Sequence, residues 1–153
     1  MATFISKSPS DTHALGEQWG KTARDPWLIG IHGDLGAGKT HLVKGIAQGL
    51  EIPRKIQSPT FSLVNEYFDG RVPFFHLDFY RLDTPEQIIR AGLDQYLFDP
   101  QGVVAVEWIE RYFPEKAAFE KFCRDELSFS FRNVYIETLG PEERCIHYDD
   151  FGP

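Results

Sequence analysis

One stretch limits what this chain can fold into: Ile29-Gly30-Ile31-His32-Gly33-Asp34-Leu35-Gly36-Ala37-Gly38-Lys39-Thr40. Gly33, Gly38, Lys39 and Thr40 stand at the spacing G-x-x-x-x-G-K-[ST], a P-loop pattern. Glycines let the backbone turn tightly and come close to a phosphate. The turn aims a row of N–H groups inward as an anion-binding nest, and a helix starting near Lys39 adds its positive end. Lys39 can reach the β- and γ-phosphates of a nucleotide, and the Thr40 hydroxyl can ligate Mg²⁺. Chance alone gives such a match in roughly one chain in a hundred or fewer. Context sharpens it. Trp27 to Ile31 reads as a short buried strand, and His41 to Leu50 as a helix with Leu42, Val43, Ile46, Ala47 and Leu50 on one face.

At 153 residues the chain has the length of one domain with a sizeable core. No apolar run reaches the roughly 18 residues of a membrane span. The first nine residues lack a basic-then-apolar signal layout. Cys123 and Cys145 are far apart and without metal-ligand spacing, so two reduced thiols and a cytoplasmic location are expected. A net charge of −7 argues against direct nucleic-acid binding, which needs clustered Lys and Arg; Arg54-Lys55 is the nearest candidate for a local basic patch and reads rather as a solvated loop.

Periodicity predicts the rest of the order. Thr3 to Ser6 reads as an edge strand, followed by a helix capped by Ser10 or Asp11 and running to about Ala23. Phe61 to Tyr67 alternates as a half-buried strand does, the Asp69-Gly70 turn follows, and Val72 to Leu77 returns as a hairpin. Thr84-Pro85-Glu86-Gln87 starts a helix to about Phe98. Val103 to Glu107 reads as a buried central strand, and Pro114 to Cys123 as a short helix. Glu126 to Phe131 and Asn133 to Glu137 read as an antiparallel pair around Arg132. Residues 141–153 are a weakly patterned tail in which Cys145 to Tyr148 allows one short strand.

A P-loop site needs carboxylates for its magnesium, and open α/β sheets bind ligands at the C-terminal ends of their strands. Asp78, after Phe74 to Leu77, and Glu107, after Val103 to Val106, are acids at such ends. Ser58-Pro59-Thr60 lies where a nucleotide-responsive loop belongs. His32, His41 and His76 share no ligand spacing and read as structural or surface residues.

Several of these stretches together resemble one family. Gly33 to Thr40, Ser58-Pro59-Thr60-Phe61, Asn65-Glu66-Tyr67, His76-Leu77-Asp78-Phe79-Tyr80-Arg81-Leu82 and Glu107-Trp108 follow the order and spacing of the TsaE (YjeE) family. These are bacterial P-loop ATPases needed to make threonylcarbamoyladenosine in tRNAs that read codons beginning with A. The resemblance covers nearly the whole chain and thins after Leu139. It implies an α/β fold: a single P-loop NTPase-like domain with a mixed central sheet flanked by helices. It also implies ATP/ADP and Mg²⁺ as cofactors, slow hydrolysis, and work with TsaD and TsaB, tRNA being met only through that complex and no membrane being involved.

Carried over by position, Lys39, Asp78 and Glu107 are the implied catalytic residues, and Thr40, Asp78 and Glu107 the implied metal set. Gly36, Ala37, Gly38, Lys39 and Thr40 are implied to hold the phosphates, and Gly33, Asp34, Leu35, Ser58, Thr60 and Trp108 are further implied cofactor-binding residues. Thr12, in Thr12-x-x-Leu15-Gly16, and Arg132 are implied nucleotide contacts as well. His41 stands where the family usually has a second Thr, and Ile109 where Pro is common. Two other readings fit a short P-loop chain: a small-molecule kinase, which commonly carries an Arg-rich lid that is missing here, and a nucleotide-gated binding module without turnover.

Overall fold

The computed structural model describes residues 1–59 and 62–153. The expected roles of Thr60 and Phe61 lie outside the described residues. The described chain builds one seven-stranded sheet in the order β1-β7-β6-β2-β5-β4-β3. Its strands are β1 (Ala2–Ser6), β2 (Trp27–Gly33), β3 (Val64–Tyr67), β4 (Phe74–Asp78), β5 (Val103–Glu107), β6 (Ser130–Thr138) and β7 (Arg144–Phe151). Strands β6, β2, β5 and β4 run parallel, whereas β1, β7 and β3 pair antiparallel at the flanks. The sheet is therefore mixed, as expected.

The central strands are apolar because both faces are covered. Leu28, Val104 and Val106 face one side, and Ile29, Ile31 and Ala105 the other, all of them buried. The second side is covered by α1 (Pro9–Thr22) and α2 (Lys39–Gly49). Helix α1 starts two residues earlier than the sequence predicts. Ser8 is its cap, the hydroxyl accepting from the Asp11 N–H at 3.2 Å, and Pro9 occupies the first helical turn, where its missing N–H costs nothing.

Helices α1 and α2 lie almost backbone to backbone. A methyl group on Gly16 would meet Leu42 O at 2.3 Å, and one on Gly45 would meet His13 O at 2.1 Å. Both obstacles are backbone atoms, so a larger residue has to push the helices apart. Gly45→Ala is therefore expected to cost about 2–4 kcal/mol in urea unfolding, by prising open a close-packed contact. Gly140→Ala, where a methyl group meets nothing within 4 Å, is expected to leave the midpoint nearly unchanged.

Three expectations need correction. The helix from Thr84 to Phe98 is two pieces, α3 (Pro85–Arg90) and α4 (Gln95–Phe98), because Gly92 takes φ +75° and turns the chain out of the helix. The antiparallel pair around Arg132 does not form. Ser130 to Thr138 is one strand lying parallel to β2, reached through α5 (Lys116–Asp125), and Arg132 sits within it. Its antiparallel partner is the tail: Arg144 to Phe151 pairs with β6 over eight residues, and Arg144 to Tyr148 also pairs with β1. Alternation showed strand character there but not which strand each would meet.

Candidate nucleotide site

The P-loop leaves the C-terminal end of β2, where α2 begins. Gly38 caps that helix at φ +99°, a left-handed conformation that suits a residue with no Cβ. Beside it, parallel pairing sets Asp78 of β4 opposite Glu107 of β5, and Glu107 opposite Ile31 of β2. Three neighbouring strand ends thus deliver the loop and both acids to one place.

A cleft of about 300 Å³ opens there, bordered among others by Lys39, Thr40, Ser58, Asp78, Glu107 and Trp108. Gly36, Gly38 and Leu35 also line it, together with Tyr80 and His41. The Thr40 hydroxyl lies 3.3 Å from Ser58 Oγ and donates to Glu107 Oε1 at 3.3 Å. Glu107 is only 3 % exposed. Its second oxygen accepts from His76 Nε2 at 2.6 Å, and His76 is wholly buried. His76 Nδ1 has no partner among the described residues. His76 therefore holds the carboxylate by Oε2, while the Thr40 hydroxyl faces both oxygens, at 3.3 Å from Oε1 and 3.4 Å from Oε2.

Lys39 is bent back onto the loop, donating to Gly33 O at 2.6 Å and Asp34 O at 2.8 Å. Its ammonium also lies 4.5 Å from the centre of the Trp108 ring, within cation–π range. Burial lowers the Lys39 pKa, while Glu107, Glu110, Asp78 and Asp34 act in the opposite direction. Burial likewise raises the Asp78 pKa, helped by the Glu107 charge and opposed by the Tyr80 N–H that donates to Asp78 Oδ1 at 2.9 Å. An arriving polyphosphate and cation would relieve both penalties, one for each sign of charge.

Trp108 stands at φ +61°, strained for a bulky residue and worth roughly 1–3 kcal/mol. The strain is held by its N–H, which donates to Ile31 O at 3.1 Å, and by packing against Tyr80, whose ring centre is 5.1 Å away. This conformation lays the indole across the cleft over Lys39.

Two expected contacts are not brought to the cleft. Thr12 is buried at the start of α1 with its hydroxyl 2.7 Å from Ser6 Oγ. Arg132 pairs in register with Ile29, half a strand below the P-loop. Its guanidinium donates to both oxygens of Asp150, at 2.6 and 2.8 Å, and lies over the rings of Trp19, Trp27 and Tyr148. Two other residues join the site that the sequence did not single out. His76 is one; it opens the stretch His76 to Leu82 that carries the family resemblance, two residues before Asp78 on one strand. Arg144 is the other. It donates from Nε to Ala37 O at 2.9 Å and from a terminal nitrogen to Gly36 O at 3.4 Å, bracing the loop from β7.

The cleft suits magnesium. Its donors are hydroxyl and carboxylate oxygens, hard ligands of the kind that ion takes, and they converge beside a loop of N–H groups. Comparison with known proteins gives the family. The family model "Threonylcarbamoyl adenosine biosynthesis protein TsaE" matches residues 6–145. A tRNA threonylcarbamoyladenosine biosynthesis protein TsaE from Bacillus subtilis is 41% identical over 148 residues, covering 95% of this chain and 83% of that protein. The protein of the same name from Nostoc is 47% identical over 114 residues, covering 72% and 70% of the two chains. The crystal structure of Bacillus subtilis YdiB superposes with a TM-score of 0.68 at 30% identity, covering 99% of this chain and 86% of that one. This chain, with its P-loop and paired strand-end acids, belongs to the TsaE family of tRNA threonylcarbamoyladenosine biosynthesis.

Proposed function

We propose that this cleft binds ATP with Mg²⁺ and hydrolyses it, and that turnover supports or resets a TsaD–TsaB complex that transfers the threonylcarbamoyl group. The observation that carries the reading is the contact between Thr40 and Glu107 in front of Lys39. A hydroxyl, two acids and an ammonium group on one side of a P-loop are what γ-phosphoryl transfer to water needs, since that reaction depends on positioning and charge neutralisation. Thr40, Asp78 and Glu107 would hold the magnesium, whose role is to neutralise charge on the β- and γ-oxygens.

The protein's own groups divide the remaining work. Lys39 swings from the loop carbonyls to the phosphates. The N–H groups around Gly36 to Thr40 hold the chain of oxygens in place. Glu107, held by His76, has an oxygen that can orient the attacking water. Arg111 lies over the Trp108 ring, 5.3 Å from its centre, and Arg144 holds the P-loop carbonyls. Arg81 borders a neighbouring hollow with Ser58 and Asp78. We assign slow turnover to the protein alone and acceleration to its partners, with tRNA reached through them.

Titration of purified TsaD–TsaB into a phosphate-release assay with Mg-ATP tests this. The rate is expected to rise at least about tenfold and to saturate at a fixed stoichiometry, as when a partner completes a phosphoryl-transfer site. Equal rates with and without the partners would remove the activation step. Phosphate appearing on a small-molecule acceptor instead of free in solution would favour a kinase.

A further inference from the structure

We infer that Glu137, Cys145 and His147 form a second cation site, separate from the nucleotide cleft and suited to a thiophilic divalent ion such as zinc. Strand pairing makes the cluster. Glu137 of β6 faces Cys145 of β7 in register, and His147 follows two residues along β7. Side chains two apart on a strand share a face, so Cys145 and His147 point the same way. Ile146 between them turns to the opposite face and is buried against the α1–α2 side of the sheet. Val134 and Ile136 of β6 join Ile146 there, which puts Glu137 on the same face as the two ligands of β7.

The distances fit. Cys145 Sγ lies 3.2 Å from His147 Nε2, and His147 Nε2 lies 3.8 Å from Glu137 Oε2. All three ligand atoms fall within 4.8 Å of one another. Tetrahedral zinc with bonds of about 2.0–2.3 Å sets its ligand atoms roughly 3.5 Å apart, so small side-chain adjustments close the shell. The imidazole is also oriented for the task. Thr3 Oγ1 lies 3.1 Å from His147 Nδ1 and can accept its proton's hydrogen bond, turning the Nε2 lone pair toward the sulfur. Cys145 is buried whereas Glu137 is exposed, so the shell has a protein floor and an open outer position for water.

The donor set separates this site from the first. One sulfur, one nitrogen and one carboxylate select zinc or a similar borderline ion over magnesium, which takes oxygens. On binding, the Cys145 S–H proton passes to solvent as the S–metal bond forms. The site clips β7 to β6 beside Arg144, the residue that braces the P-loop. The family match stops at Cys145, so His147 lies beyond it.

The test uses tag-free protein stripped with chelator and titrated with Co²⁺, then Zn²⁺. One equivalent of Co²⁺ is expected to produce thiolate-to-cobalt charge-transfer absorption, which Zn²⁺ removes by displacement. Cys145→Ser and His147→Ala are expected to abolish the band while their circular dichroism stays that of the parent. Thr3→Val is expected to weaken cobalt binding about tenfold, as loss of an orienting partner does. Cys123→Ser is expected to keep the band; burial pushes that thiol up to about 11, and it lies on α5. No charge-transfer band in the parent protein, or a band that survives in Cys145→Ser, would overturn the site. Weak cobalt binding without a sulfur band reports only the oxygen ligands of the cleft and also counts against it.

Discussion

Lys39→Ala is expected to lower ATP affinity by about a hundredfold and to bring hydrolysis to background. A charge-assisted hydrogen bond to phosphate contributes roughly 1.5–3 kcal/mol, and two to three kcal/mol corresponds to about that factor. The effect goes beyond one lost contact. In this structure the ammonium spans Gly33 O and Asp34 O, so it also fixes the curve of the loop before any phosphate arrives. Lys39→Arg is expected to rescue little, because a planar fork cannot replace a compact ammonium where the residue is only 5 % exposed. Calorimetric titration with ATP reads the affinity, and indole fluorescence gives an independent signal because Trp108 covers the same ammonium. Wild-type affinity in Lys39→Ala would mean that the loop is not a phosphate site.

That prediction was open to the sequence because its chemistry is local. The P-loop residues are consecutive, and strand-end acids mark themselves by following apolar runs. Asp78 and Glu107 are legible as strand-end acids without their pairing in register. What the sequence hid depends on partners far along the chain. Arg144 stands more than a hundred positions after the carbonyl it holds, and reaches it only because the tail becomes β7 between β1 and β6. His76 carries no spacing signal toward Glu107; parallel pairing of β4 with β5 creates the contact.

The error over Arg132 has the same origin. An arginine between two alternating runs reads as a turn, yet here it stays within the strand. Three aromatic rings and Asp150 satisfy the charge, so the strand can continue through it. The glycines of α1 and α2 tell the reverse story. Gly16 and Gly20 on one helix, and Gly45 and Gly49 on the other, repeat every fourth residue. That spacing marks one face of each helix, but only the fold shows that the two faces meet.

The second large effect is expected at Glu107. Glu107→Gln should cut ATP turnover by roughly a thousandfold, in the range of removing a preorganised electrostatic group, while ATP binding changes by no more than a few fold. The separation follows from position. In the proposed reading Lys39 and the loop N–H groups hold the phosphates, whereas Glu107 meets the Thr40 hydroxyl and His76. An amide presents one acceptor where the carboxylate presents two, so it cannot accept from His76 and serve the metal side with equal strength. His76→Leu probes the same point from behind. It removes the 2.6 Å partner and leaves a nearly buried carboxylate with only its longer contacts to Thr40. Turnover should fall and protein stability should fall with it, by about 1–3 kcal/mol for the unpaired group. In Glu107→Gln the carboxylate charge is gone, so the loss should appear in the rate far more than in the melting curve. Single-turnover phosphate release, in the condition where the parent protein turns over fastest, separates the two variants. If Glu107→Gln hydrolyses ATP at the parent rate there, the acid that manages the reaction is Asp78, its neighbour in register on β4.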